Sequence, residues 1–188
     1  MNIFVLDRDP RVAAMNHCNK HVVKMILESS QMLCTAHWTH LLKINRKSLK
    51  DFKRVKDAQD WLWKNTDPDL QPAWKMTHTR HPCTLWTGET ISNYFWHLNL
   101  AEGLLSEYTK RYKKHHKSED IVKWLRENIP VGIKDDPLTE FPQCVPEDCK
   151  VDGDPVSAYK KYYINYKNHF AKWEPKARRP SWYIVGEN

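Results

Sequence analysis

"NHCNKHVVKMILESSQML", residues 16–33, joins a core-forming pattern to a polar one. Val22, Met25, Ile26 and Leu33 recur at helical spacing and would seat one face of a helix against a core. His17, His21, Lys24 and Glu28, at spacings of four, three and four, fall on another side of that helix. The polar stripe continues through Gln31 and Thr35. A helix packed on one side and titratable on the other is the expectation from which the rest of the chain is read.

Upstream, Asn2 to Leu6 reads as a short apolar strand or extended segment. Asp9-Pro10 then supplies a carboxylate cap with proline at the first helical position. Helical pattern runs from there to about Leu42, with a break near Asn19. Residues 45–56 are basic and expected in solvent, and 57–65, "DAQDWLWKN", predict a short helix closed by the turn signals of "TDPDLQP".

A second long helix is predicted from Pro82 or Thr87 to about His116, ending in the cations of "KRYKKHHK", which suit a helix C-terminus. A short helix at 118–128 and a proline- and acid-rich ordered loop follow. A third long helix is predicted from the Asp154 cap and Pro155 to about Trp173, before a tail too rich in proline for helix. The fold class is therefore mainly α: a compact single-domain helical fold, residues 1–188, with three long helices and a short N-terminal extended segment.

A chain of 188 residues can bury a core without disulfide staples. Its five cysteines are an odd number, no signal peptide is read at "MNIFVLD", and no apolar run is long enough for a bilayer. A reducing cytoplasm with free thiols is the expected location. Cys144 and Cys149 lack the spacing of paired zinc ligands. His17 and His21 have the i, i+4 spacing of such ligands but no glutamate between them and no defined third ligand. Neither a metal nor a cofactor is expected. The formal charge of +7 points to a polyanionic partner, double-stranded DNA above all.

Glu28 is the expected centre of acid–base chemistry, with His21 as its catalytic neighbour, because adjacent charges tune histidine protonation. The alternative for the stripe is a plain solvated helix face. His17 and Lys24 share the stripe and join the DNA-binding candidates. Arg80 and His81 stand just before a helix start, where cations and amides can hold a phosphate or simply cap the helix. Lys110 and Arg111 belong to the basic helix end. "KKYYINYKNHFAKW" and "KARRPSWY" interleave cations with rings that could stack on bases. In the helix those rings are expected in the core. Arg178, Arg179, Trp182 and Tyr183, outside it, are expected at DNA.

Three segments in order resemble the pyrimidine-dimer DNA glycosylases of the phage endonuclease V type. "KHVVKMILES" resembles that family's early helix, in which a histidine precedes the catalytic glutamate by seven residues, here His21 and Glu28. "HPCTLW" resembles its entry into the second helix, and "RRPSWYIVG" its DNA-contacting C-terminal segment. The resemblance implies a compact helical domain, base flipping, and attack at the sugar C1′ with expulsion of a pyrimidine. Where the family exposes a small residue's α-amine after loss of Met, this chain has Asn2, so the resemblance leaves an imine and AP-lyase step open. The insertion between Leu42 and His81 and the loop after Pro130 are longer than the family needs. Two other readings stand beside it: a phage DNA base-modifying transferase, and a noncatalytic DNA-binding protein. Residue types leave the target base, the oligomeric state and any second substrate open.

Overall fold

The computed structural model describes residues 1–184. Val185 and Gly186 of the "RRPSWYIVG" segment lie outside the described residues. Seven helices are present among those described: α1 (Pro10–Asn16), α2 (Asn19–Ile44), α3 (Val55–Asn65), α4 (Pro82–Thr87), α5 (Ile91–Tyr112), α6 (Glu119–Glu127) and α7 (Pro155–Tyr166). No strand forms among the described residues beyond an isolated bridge between Thr90 and Lys134. The chain is mainly α, and no described helix is long and apolar enough to cross a membrane.

Asp9 caps α1 as its sequence predicts, its carboxylate accepting from the amides of Arg11 (2.7 Å) and Val12 (3.1 Å). The chain breaks at His17 and Cys18 and restarts as α2. Three independent ties hold that break. The Arg111 guanidinium donates to Met15 O (3.0 Å) and His17 O (2.8 Å), Tyr112 Oη donates to Asn19 O (3.1 Å), and Trp173 Nε1 donates to Asn16 O (3.1 Å).

α2 is the spine, packed against α5 and α4, while α1 packs on α5. Its first half joins Ile3–Leu6, Tyr159, Tyr163 and Trp173 in one apolar cluster. Leu33 and Cys34 meet Tyr94, Leu98, Ile121 and Leu125, and Trp38, Leu41 and Leu42 meet Ala58 and Leu62. At roughly 1.5–3 kcal/mol per buried large apolar side chain, these clusters hold the fold. The α1–α5 crossing is close. A Cβ on Gly103 would lie 2.8 Å from Ala14 Cβ, so only glycine fits there.

Three boundaries differ from the sequence pattern. The second long helix is split at Gly88, because Thr90 caps a new helix by accepting from Asn93 N (3.1 Å). It also stops at Tyr112, where Lys113 turns left-handed at φ 55° and leaves the remaining cations outside the helix. The third long helix ends at Tyr166, not Trp173. The turn beyond it lets Trp173 bury fully behind the α1–α2 break. The segment Ile3–Leu6 is buried but pairs with no strand.

Candidate functional site

Glu28, in the middle of α2, is 8% exposed and lies on a cavity of about 360 Å³. Its Oε2 accepts from the Asn2 amide at 3.1 Å and lies 3.7 Å from the Met1 nitrogen. Lys24 Nζ sits 3.1 Å from Oε1, one helical turn away. Phe4, Tyr162 and Phe170 contribute rings to the cavity, and Lys20, Lys24 and Lys167 contribute cations. The lysines lie on the rings: Lys20 Nζ is 5.3 Å from the Phe170 centroid and Lys167 Nζ 4.3 Å from that of Tyr162.

The N-terminal segment builds one wall. Asn2 Oδ1 accepts from the amide of Ile3 (2.8 Å), and Asn2 Nδ2 donates to Cys144 O (2.7 Å). Phe4 takes φ 42°, a conformation costly for a bulky residue. Its ring lies 4.4 Å from His21 and stacks at 13° on Tyr162. A strained residue held against the proposed chemistry marks a place where the fold specifies side-chain direction.

His21 also borders the cavity, with Nδ1 on the Tyr163 hydroxyl. Burial, with the charges of Lys167 and Lys24 adding to it, lowers its pKa to about 2, so it is a neutral hydrogen-bonding group at pH 7. His17 sits behind it, fully buried, with Nδ1 on Ala13 O at 2.7 Å and a pKa lowered to about 4 by burial. His17 therefore supports the helix break and does not reach the cavity.

The other candidate residues separate. His81 caps α4 by accepting from Cys83 N (3.2 Å), while Arg80 is exposed on a different groove. Lys110 is exposed, but Arg111 is not: its side chain is fully buried, paired with Glu107 at 2.7 Å. It acts as an internal clamp, so its sequence assignment to a DNA surface does not match where the fold puts it. Arg178 and Arg179 are exposed. Tyr183 is buried at 4.6 Å from the Trp173 ring, and Trp182 is half-buried against Tyr163. These two rings face the core.

Sequence reasoning missed Phe4, Lys20, Tyr162, Lys167 and Phe170 as cavity residues. The basic–aromatic run through residues 160–173 was the available signal, hidden because a continuous helix would have sent Phe170 elsewhere.

Among the described residues, one group could hold a metal: ligand atoms of His81, Cys83 and Cys144 lie within 4.8 Å of one another. Cys83 Sγ donates to Cys144 Sγ at 3.5 Å, and this, with the nearby chain nitrogen, lowers the Cys144 pKa to about 7. Cys144 and Cys149 are not expected to pair, and the fold brings Cys144 to Cys83, a meeting that the sequence does not suggest. His81 already commits Nδ1 to the α4 amide, which leaves Nε2 as the ring nitrogen that could bind a metal without loss of the cap.

Compared with protein-family models, curated proteins and solved structures, the chain matches none.

Proposed function

We propose that the protein is a DNA-acting enzyme, a pyrimidine-specific DNA glycosylase that flips its target into the Glu28 cavity. The observation that carries this reading is a nearly buried carboxylate on an open cavity with aromatic walls and a lysine rim. Rings suit an extruded base, lysines suit its flanking phosphates, and a carboxylate suits the positive charge that develops on the sugar. Water held at Glu28 would attack C1′, forming the C–O bond as the C–N bond breaks. Glu28 takes the water proton, and the leaving base departs as an anion that is then protonated. His21, neutral, orients the substrate as a hydrogen-bonding group. An amine in place of water would give the imine of an AP lyase, and the Met1 nitrogen is positioned beside Glu28 for comparison with that route.

The transferase reading needs a second small-molecule pocket beside Glu28. The large groove that includes Arg80 begins at Thr39, eleven residues further along α2, or about 16 Å at 1.5 Å per residue. That separation favours the glycosylase. In a noncatalytic binder Glu28 would serve only structure, as Glu107 does beside Arg111, and the rates of the Glu28 variant separate the two readings.

The test is mass spectrometry of products from a panel of damaged and phage-modified duplexes, with single-turnover rates for the active substrate. Glu28→Gln keeps size and one acceptor oxygen, which can still take the Asn2 amide, but loses the charge, the base and the pairing with Lys24. It should remain folded at the assay temperature and bind DNA, yet lose about 10²-fold or more of turnover. Near-native turnover in that variant would sink the assignment and return the stripe to an ordinary helix face.

A further inference from the structure

The face of α2 that carries Lys24 and Glu28 continues through Thr35 and Thr39 to Leu42, at spacings of four, seven, four and three. Residues 77–81 cross this face, tied down where the Thr77 amide donates to Thr35 Oγ1 (3.0 Å) and that hydroxyl donates to Thr77 O (2.9 Å). Beyond the crossing, a second groove of about 580 Å³ opens. Leu42 and Leu85 contribute its apolar surface, and Leu85 is 58% exposed. Lys43, Lys47, Lys50 and Arg80 contribute cations, and no residue that lines it is acidic.

These four cations are exposed, and none makes an ion pair among the described residues. With no acidic side chain lining the groove, nothing in it competes with an anion for these cations, and Lys47 Nζ also lies 6.0 Å from the Trp61 ring centroid. A groove with cations free of carboxylate partners and an apolar floor fits a sugar–phosphate chain. Phosphates meet the ammonium and guanidinium groups, and deoxyribose faces meet leucine.

We infer that this groove binds the backbone of the same duplex whose target nucleotide enters the Glu28 cavity, displaced from it along α2. Thr39 and Leu42 lie eleven and fourteen residues beyond Glu28, about 16–21 Å along the helix. At 3.4 Å per step of one strand, that is about five to six base pairs to one side of the target. The inference rests on the glycosylase reading for the position of the target, and on the groove's own chemistry for the contact. The exposed basic segment that opens the insertion between Leu42 and His81 thereby acquires a role: it lengthens the DNA footprint in one direction.

The probe is a duplex holding a tetrahydrofuran abasic analogue, which needs no knowledge of the target base, beside an undamaged duplex of equal length. A triple variant, Lys43→Ala, Lys47→Ala and Lys50→Ala, should melt as the wild type does. Its plot of log affinity against log salt should flatten by about three phosphate contacts. Trimming one flank of the analogue from about eight to about three base pairs should weaken wild-type binding, and trimming the other flank should not. The triple variant should be indifferent to both. An unchanged salt slope, or a triple variant still sensitive to the same trimming, overturns the inference while leaving the Glu28 assignment standing. A flattened slope with no product from any duplex instead overturns the glycosylase reading and keeps the groove as a duplex contact.

Discussion

His21 near the start of α2 and His37 near its end are both buried, and both meet a tyrosine hydroxyl, Tyr163 in one case and Tyr94 (2.9 Å) in the other. Burial is the largest cause holding both neutral, with pKa values lowered to about 2 and about 3. The surroundings differ. His21 shares its cavity with Glu28, three more rings and three lysines. His37 borders a smaller cavity, about 210 Å³, whose lining holds no lysine and no other ring. Tyr94 passes its own hydrogen on to Leu125 O at 3.0 Å, so that end of α2 is a hydrogen-bonded core. A buried histidine on a spine helix is therefore not itself a site. The His37 cavity also has a carboxylate, the exposed Glu127, so it is the cationic, aromatic mouth around a buried carboxylate that makes a site.

The largest effect tests what the two ends share. His17, His21, His37 and His97 all have folded pKa values lowered from 6.5, to about 4, 2, 3 and 3. Unfolded chains take up these protons below pH 6.5 and the folded protein does not. Stability is thus complete above pH 6.5 and falls as pH drops toward the folded values. Each histidine costs roughly 1.4 kcal/mol per pH unit in that window, so several kcal/mol are lost together by pH 5.5. Urea midpoints at pH 7.5 and 5.5, at fixed ionic strength, read this directly. About half that loss would mean that one end charges in the folded protein and the likeness between the two ends would break, while a flat midpoint would mean that neither end holds its histidines neutral.

The next effect tests how the cavity end is built. Arg111→Met removes the clamp on the α1–α2 break and leaves Glu107 buried at 7% exposure with only Lys110 nearby. Breaking a buried pair in this way costs about 3–5 kcal/mol. Lys110→Ala, at an exposed position, should cost under about 1 kcal/mol. Denaturant unfolding of the two variants measures both. Equal losses would mean that Arg111 is no more than another basic residue at the end of α5.

Where the chain obeyed local rules, the sequence was legible. The Asp9-Pro10 opening, the helix over residues 57–65 and the Asp154 cap all rest on short-range hydrogen bonds that a residue pattern specifies, whereas the break near Asn19, though visible in the pattern, is held by distant side chains. Glu28 and His21 were legible for the same reason, since helical spacing puts them on one face. Legibility failed where distant contacts decide. Nothing near Arg111 signals that its guanidinium will cap carbonyls almost a hundred residues away, and nothing near Phe170 signals that α7 stops early enough to turn its ring into the cavity. The Cys83–Cys144 meeting is likewise a product of the fold, joining α4 to a loop the pattern could describe only as ordered.

The smallest effect isolates function from packing. His37→Phe keeps the ring volume and removes the bond to Tyr94, whose hydroxyl still has Leu125 O as its acceptor. One net hydrogen bond is worth about 1 kcal/mol, so the melting temperature should drop by a few degrees. Turnover on the active duplex should stay within about two-fold, because nothing at that end of α2 touches the Glu28 cavity. His21→Phe loses the equivalent bond to Tyr163 and should soften the fold by a similar amount. Its turnover, however, should fall by about ten-fold, less than for Glu28→Gln, as expected for a neutral group that orients the substrate without exchanging a proton. Paired melts and single-turnover rates for the two variants make the comparison. Equal losses of turnover would erase the distinction between the ends of α2, and with it the argument that the cavity, not the histidine, defines the site.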